Sequence, residues 1–265
     1  MTALLLALAA VLGLVVGSFL NVVVHRVPRG MSVVRPRSAC PTCGAPVRAR
    51  DNVPVVSWLL LRARCRDCAA PISWRYPLVE AGTALAFVGV VARLALTDDL
   101  WWALPAYFYL AAIGVALALI DIDVHRLPNA IVLPSYPVLA LLLGGASLAL
   151  GDAGSAVRAL VGGAALWVLY FALMLAKSGG MGYGDVKLAG LLGAALGWLG
   201  WGTLAVGAFA AFLVGGIYAI ALLVARRAGR ATRIPFGPWM VTGAAVGFAV
   251  GEPAWRAYLG VFAGG

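Results

Sequence analysis

Runs of about twenty apolar residues recur along the chain, each long enough to cross a bilayer's hydrocarbon core as a helix. They fall near residues 3–24, 78–96, 101–121, 130–150, 157–176, 186–200, 203–225 and 238–259. In lipid every backbone polar group must be satisfied within its own segment, so such a chain folds as a bundle of helices. Composition agrees: 63% of residues are hydrophobic and 11% charged, whereas a soluble domain is roughly half apolar and a quarter charged. The expectation is an all-α polytopic membrane protein with about eight transmembrane helices. Residues 1–24 are read as a retained first span, because Met1-Thr2 supplies no basic n-region and no A-x-A site follows. The sixth run is short and glycine-rich: a partial or tilted span, or one broken near Gly193 and Gly197.

Charge orients the set. The loop 25–77 carries ten arginines, from Arg26 to Arg75. His125 and Arg126, then Lys177 and Lys187, then Arg226, Arg227, Arg230 and Arg233 mark three further basic connections. The alternating connections are poor in cations: Asp98 and Asp99, then Asp152 with Arg158, then Trp198 to Trp201. The positive-inside rule puts every basic loop in the cytoplasm and both termini outside. The formal net charge of +10 is therefore read as topology and attraction to anionic lipid, not as nucleic-acid binding.

Loop 25–77 also holds all four cysteines, as Cys40-Pro-Thr-Cys43 and Cys65-Arg-Asp-Cys68. Two C-x2-C knuckles at this distance suit a tetrahedral four-thiolate zinc site. The rival, a redox dithiol pair, needs an oxidising compartment, and these cysteines lie on the arginine-rich side. A closed four-thiolate site leaves no open coordination position, so the zinc is structural and folds a small domain with little core of its own. The chain thus reads as a first transmembrane helix (1–24), a cytoplasmic zinc-ribbon-like domain (25–77) and a membrane-embedded domain (78–265).

Acids in apolar surroundings are costly and so point to function. One lies in Gly180-Met-Gly182-Tyr-Gly184-Asp185-Val-Lys187, a glycine-rich break between two runs. Another closes the third run, in Ile120-Asp121-Ile122-Asp123. By the topology above, Asp121 and Asp185 sit at the same side and depth. Asp123 lies about 200° further around a continuing helix, so Asp121 and Asp123 cannot both face one partner there. Two carboxylates sharing a proton can act as base and acid on a peptide bond. The competing reading is that Asp121 and Asp123 cap helices or pair with Arg126 and Lys187.

The remaining polar residues say less. His25 and His125 form no H-E-x-x-H site. Glu80, just inside the second span, is expected to pair with Arg75 or a loop arginine, or to help hold substrate. Gly162-Gly163 and Gly215-Gly216 are expected to permit close helix packing. Trp101, Trp102, Trp198 and Trp201 are expected in interfacial belts.

These motifs together resemble the type IV prepilin peptidases. The resemblance rests, in order, on Gly17-Ser-Phe-Leu-Asn-Val-Val-Val-His-Arg-Val-Pro-Arg29, the two cysteine pairs, Ile72-Ser-Trp-Arg-Tyr-Pro-Leu-Val-Glu80, the Asp121 segment with Leu127-Pro128, and Gly182 to Leu188. It implies an eight-span GxGD-type aspartic protease that removes a short basic leader from prepilins or pseudopilins after a glycine, at the cytoplasmic membrane surface. It also implies N-methylation of the new N-terminus with S-adenosylmethionine. On this chain the catalytic pair would be Asp121 and Asp185, with Asp123 the alternative first acid, and Gly182, Gly184 and Lys187 would form the substrate loop. Asn129 stands where many long members carry Asp. A reading from another class, an ion-coupled transporter, would use the same acids and a broken sixth helix to bind a cation.

Overall fold

A computed structural model describes residues 2–96, 100–176, 181–226 and 234–263, with side chains as far as residue 261. Asp98, Asp99, Lys177, Gly180, Arg227, Arg230 and Arg233 of the charge and motif readings lie outside the described residues. Among the described residues the α-helices are α1 (Thr2–Arg26), α2 (Val56–Leu60), α3 (Arg75–Val90), α4 (Leu104–Val124), α5 (Asn129–Leu150), α6 (Ala153–Ala176), α7 (Tyr183–Leu199), α8 (Trp201–Val224) and α9 (Gly237–Ala263). Six are long and apolar enough, some with a short helical extension, to cross a membrane: α1, α3, α4, α5, α6 and α8. The two other expected runs fall in α7, of 17 residues, and α9, of 27. The chain is a multi-pass membrane protein.

The chain divides into two compact units, one of residues 1–104 with 108–116 and one of 105–107 with 117–265. In the first, α1 lies on α3 through glycines four residues apart. A Cβ on Gly13 would fall 2.5 Å from the Ala84 Cα, and one on Gly17 would fall 2.7 Å from the Glu80 Cα. Small residues at this spacing let helix backbones approach closely where lipid offers no hydrophobic drive for association. Deeper in the pair, Ala9, Phe87, Val91 and Ala95 form a core, and Phe87 stacks on Phe108 with ring centroids 4.5 Å apart.

Between α1 and α3 the chain makes two similar knuckles. The Cys40 N–H donates to the Ala45 carbonyl and Gly44 N–H to Cys40, and the second knuckle repeats this with Cys65, Ala70 and Ala69. Each second cysteine is followed by a left-handed residue, Gly44 at φ 72° and Ala69 at φ 57°.

In the second unit α7 is the central element, and most of its residues are buried. It runs unbroken past Gly193 and Gly197. These glycines serve packing: a Cβ on Gly193 would fall 2.5 Å from the Gly162 carbonyl oxygen, and one on Gly197 2.6 Å from that of Arg158. Gly163 meets Gly190 in the same way, and Gly215 lies against Trp239, whereas Gly216 faces open space. Trp198 corrects the belt expectation. It is only 2% exposed, donates its indole N–H to the Ser147 hydroxyl and packs near Tyr107. Trp101, Trp102 and Trp201 are exposed as expected.

Candidate active site

Asp185 is placed by the start of α7. Its backbone N–H donates to the Gly182 carbonyl, and its carboxylate Oδ2 accepts the Gly182 N–H at 3.0 Å. A third-position acid that reaches back to the capping residue satisfies an orphan donor, and the helix N-terminus favours its negative charge. Gly184 fits against Leu127, whose Cβ would lie 3.0 Å from an added methyl group. The glycines therefore do two things here: they admit the turn, and they let the Leu127 segment come close.

Asp121 sits in the last turn of α4, where the helix dipole opposes an anion. Its compensation comes from elsewhere: Oδ2 accepts the backbone N–H of Gly237, the first residue of α9, at 2.9 Å. Phe236, just before it, is held in an aromatic cluster with Tyr170 and Phe212. Asp121 is 5% exposed and Asp185 8%. Two carboxylates of the second unit are thus buried, each anchored by one backbone N–H. Asp123 is exposed, on the other side of the α4 end.

Lys187 donates to the Asn129 Oδ1 at 2.6 Å and lies over the Tyr183 ring. Its own carbonyl accepts the Tyr136 hydroxyl. Asn129 therefore serves Lys187 through a carbonyl oxygen, a role that Asp would fill with added charge. Sequence reasoning missed Gly237, because a backbone donor has no side-chain signature. The available signal was Phe236-Gly-Pro238 opening the last apolar run.

The four cysteines come together, with all Sγ atoms within 4.8 Å of one another. A tetrahedron of zinc–sulfur bonds of about 2.3 Å has sulfur–sulfur edges of about 3.8 Å. Cys40 and Cys68 stand 3.8 Å apart. The donor set and spacing fit zinc. Arg66 donates to Asp51 through Nε and Nη2 and holds that carboxyl below its usual range. Arg48 pairs with Asp67.

Glu80 has a partner that the sequence did not suggest: its Oε2 accepts the Val55 backbone N–H at 2.7 Å. The unbroken α7 also removes the half-helix geometry on which the transporter reading depended.

Comparison with known proteins adds to this picture. Residues 11–94 match the bacterial peptidase A24 N-terminal domain, and residues 108–220 match the type IV leader peptidase family. The chain is 39% identical to a prepilin leader peptidase/N-methyltransferase of Aeromonas hydrophila, over 96% of this chain and 93% of the relative. It is 37% identical to proteins of the same name from Pseudomonas aeruginosa, over 94% and 91%, and Neisseria gonorrhoeae, over 94% and 92%. No solved structure gives a significant match.

Proposed function

Because the chain belongs to the type IV leader peptidase family, we propose that it removes the leader peptide from prepilins or pseudopilins and N-methylates the new N-terminus. The observation that carries the peptidase reading is the buried pair Asp121 and Asp185, each held by a backbone N–H. Where two carboxylates share one proton, one stays protonated while the other acts as base. The base takes a proton from water as the water oxygen bonds to the scissile carbonyl carbon. The acid then gives its proton to the leaving amine as the C–N bond breaks, which leaves a leader ending in a carboxylate and a mature chain with a free amine. Gly182, Gly184 and Lys187 would border the substrate, where a backbone without side chains admits a peptide strand closely. The four-cysteine domain and the carboxylates face the cytoplasm, as the basic loops imply, and anionic headgroups screen the arginines from a basic leader.

Zinc, held by Cys40, Cys43, Cys65 and Cys68, would supply a structural cross-link and no open coordination position. S-adenosylmethionine would supply the methyl group. Two cavities, one bounded by Tyr170, Leu192 and Met240 and one by Leu139, Leu160 and Trp167, are apolar and do not fit that zwitterion.

The test is to incubate purified protein in lipid with a prepilin-type peptide, with and without S-adenosylmethionine, and weigh the products. The reading predicts leader-free product in both samples and one added methyl group only where the cofactor is present. Intact substrate in both contradicts it.

A further inference from the structure

The helix α2 is amphipathic the wrong way round for a soluble lobe. Val56, Leu59 and Leu60, at i, i+3 and i+4, form its apolar stripe, and all three are exposed, Leu59 at 60% and Leu60 at 77%. Its polar residue faces inward instead. Ser57 is buried, takes the Val53 N–H and donates to the Arg50 carbonyl. Trp58 is tied to the Ile72 carbonyl by its indole N–H. In water such a face would be a liability.

The depth of α2 explains the inversion. Immediately before it, Val55 donates to Glu80 of α3. Glu80 lies five residues inside the start of α3, about 7–8 Å along the axis, within a span that runs from Arg75 to Ala95. It packs on Gly17 of α1, nine residues and about 13 Å short of the end of that helix. Val55 itself has φ 62° and ψ −50°, and the Val56 N–H returns to the Pro54 carbonyl at 2.6 Å. This is the three-residue turn that β-branched residues almost never adopt. The chain accepts that strain to bend into α2 beside α3. Arg62 and Arg64 follow directly, both exposed. Trp74 and Tyr76, also exposed, sit at the entry to α3 as interfacial aromatics do.

We propose that α2 is an interfacial anchor, with Val56, Leu59 and Leu60 inserted among lipid acyl chains and Arg62 and Arg64 reaching back to anionic headgroups. An inserted amphipathic helix lies about 5–10 Å below the surface, which matches the level set by Glu80. Long arginine side chains at its end keep their charge in the headgroup layer. Glu80 is then a positioning residue: its carboxylate holds the strained turn from which α2 emerges. The anchor ties the four-cysteine lobe to the bilayer at a third point besides α1 and α3. It stands on the membrane fold alone, whatever reaction the aspartates perform.

The experiment places a benzophenone amino acid at Leu60, and separately at Val34, an exposed position of the same lobe, in zinc-loaded full-length protein. Each variant is irradiated in nanodiscs of phosphatidylcholine and phosphatidylglycerol, and adducts are identified by mass spectrometry. Position 59 replaces position 60 if that variant loses zinc. The expected result is lipid adduct at least about tenfold more abundant at the α2 position than at Val34, as insertion below the headgroups demands. Equal adduct at both positions, or none at α2, overturns the proposal. So does transfer of the α2 adduct from lipid to an added prepilin-type peptide, which would assign this face to substrate.

Discussion

The four-cysteine lobe and the helices around the aspartates are held by opposite means. The lobe has short turns, paired arginines and acids at its surface, and four thiols converging on one point. The helices of the second unit are held by glycines that bring backbones together, as Gly162 and Gly193 do. With zinc bound, a four-cysteine lobe would concentrate its stability in one removable centre, whereas a glycine-packed bundle spreads it over many contacts. A defect should therefore collapse the first all at once and wear down the second by steps.

The largest effect should come from breaking the staple. Cys65→Ser, or chelation, is expected to unfold the lobe, since structural zinc in small domains contributes on the order of 10 kcal/mol of apparent binding energy. Hydrogen exchange would then rise throughout residues 38–72 and stay unchanged in α7 and α8. Equal exchange in both regions would abolish the contrast. Next in size, Gly247→Ala puts a Cβ 2.6 Å from the Gly207 Cα and 2.7 Å from the Thr203 oxygen. Overpacking of this kind costs about 1–3 kcal/mol, seen as a lower Tm with zinc content unchanged.

Gly237→Ala sharpens the comparison at the site, because its Cβ would fall 2.8 Å from the Asp121 Oδ2. Displacing one carboxylate should lower kcat about 10- to 100-fold with KM and Tm nearly unchanged. A change in KM alone would place Gly237 outside the proposed machinery. The smallest effect belongs to the knuckles. Ala69→Gly relieves a left-handed alanine and should stabilise the lobe by roughly 1 kcal/mol, while Gly44→Ala should cost a similar amount. Slower and faster zinc loss to a chelator, respectively, would report it.

Much of this was legible in the chain, and the reasons differ from place to place. The apolar runs declare the helices because hydrocarbon leaves the backbone no other solution. The cysteine spacing predicts the cluster because tetrahedral geometry admits few loop lengths. Trp198 was misplaced because an aromatic near a span end can face headgroups or a neighbouring helix, and only the position of Ser147 decides which. The Gly237–Asp121 and Val55–Glu80 bonds run from a backbone N–H to a carboxylate across 116 and 25 residues, and side-chain patterns do not encode such donors. The apolar stretch Val53 to Leu61, inside an otherwise arginine-rich loop, was the visible trace of α2.

The most direct test of the central proposal compares prepilin-peptide cleavage by the wild type with Asp121→Asn, Asp185→Asn and Asp123→Asn in lipid. Asn keeps the size and the Gly182 and Gly237 hydrogen bonds but cannot carry the proton that the reaction moves. The account predicts that Asp121→Asn and Asp185→Asn each lose at least about a thousandfold in kcat while remaining folded, and that Asp123→Asn stays near wild type. Cleavage that survives in either of the first two, or that disappears only with Asp123→Asn, would contradict the buried pair as the seat of the chemistry.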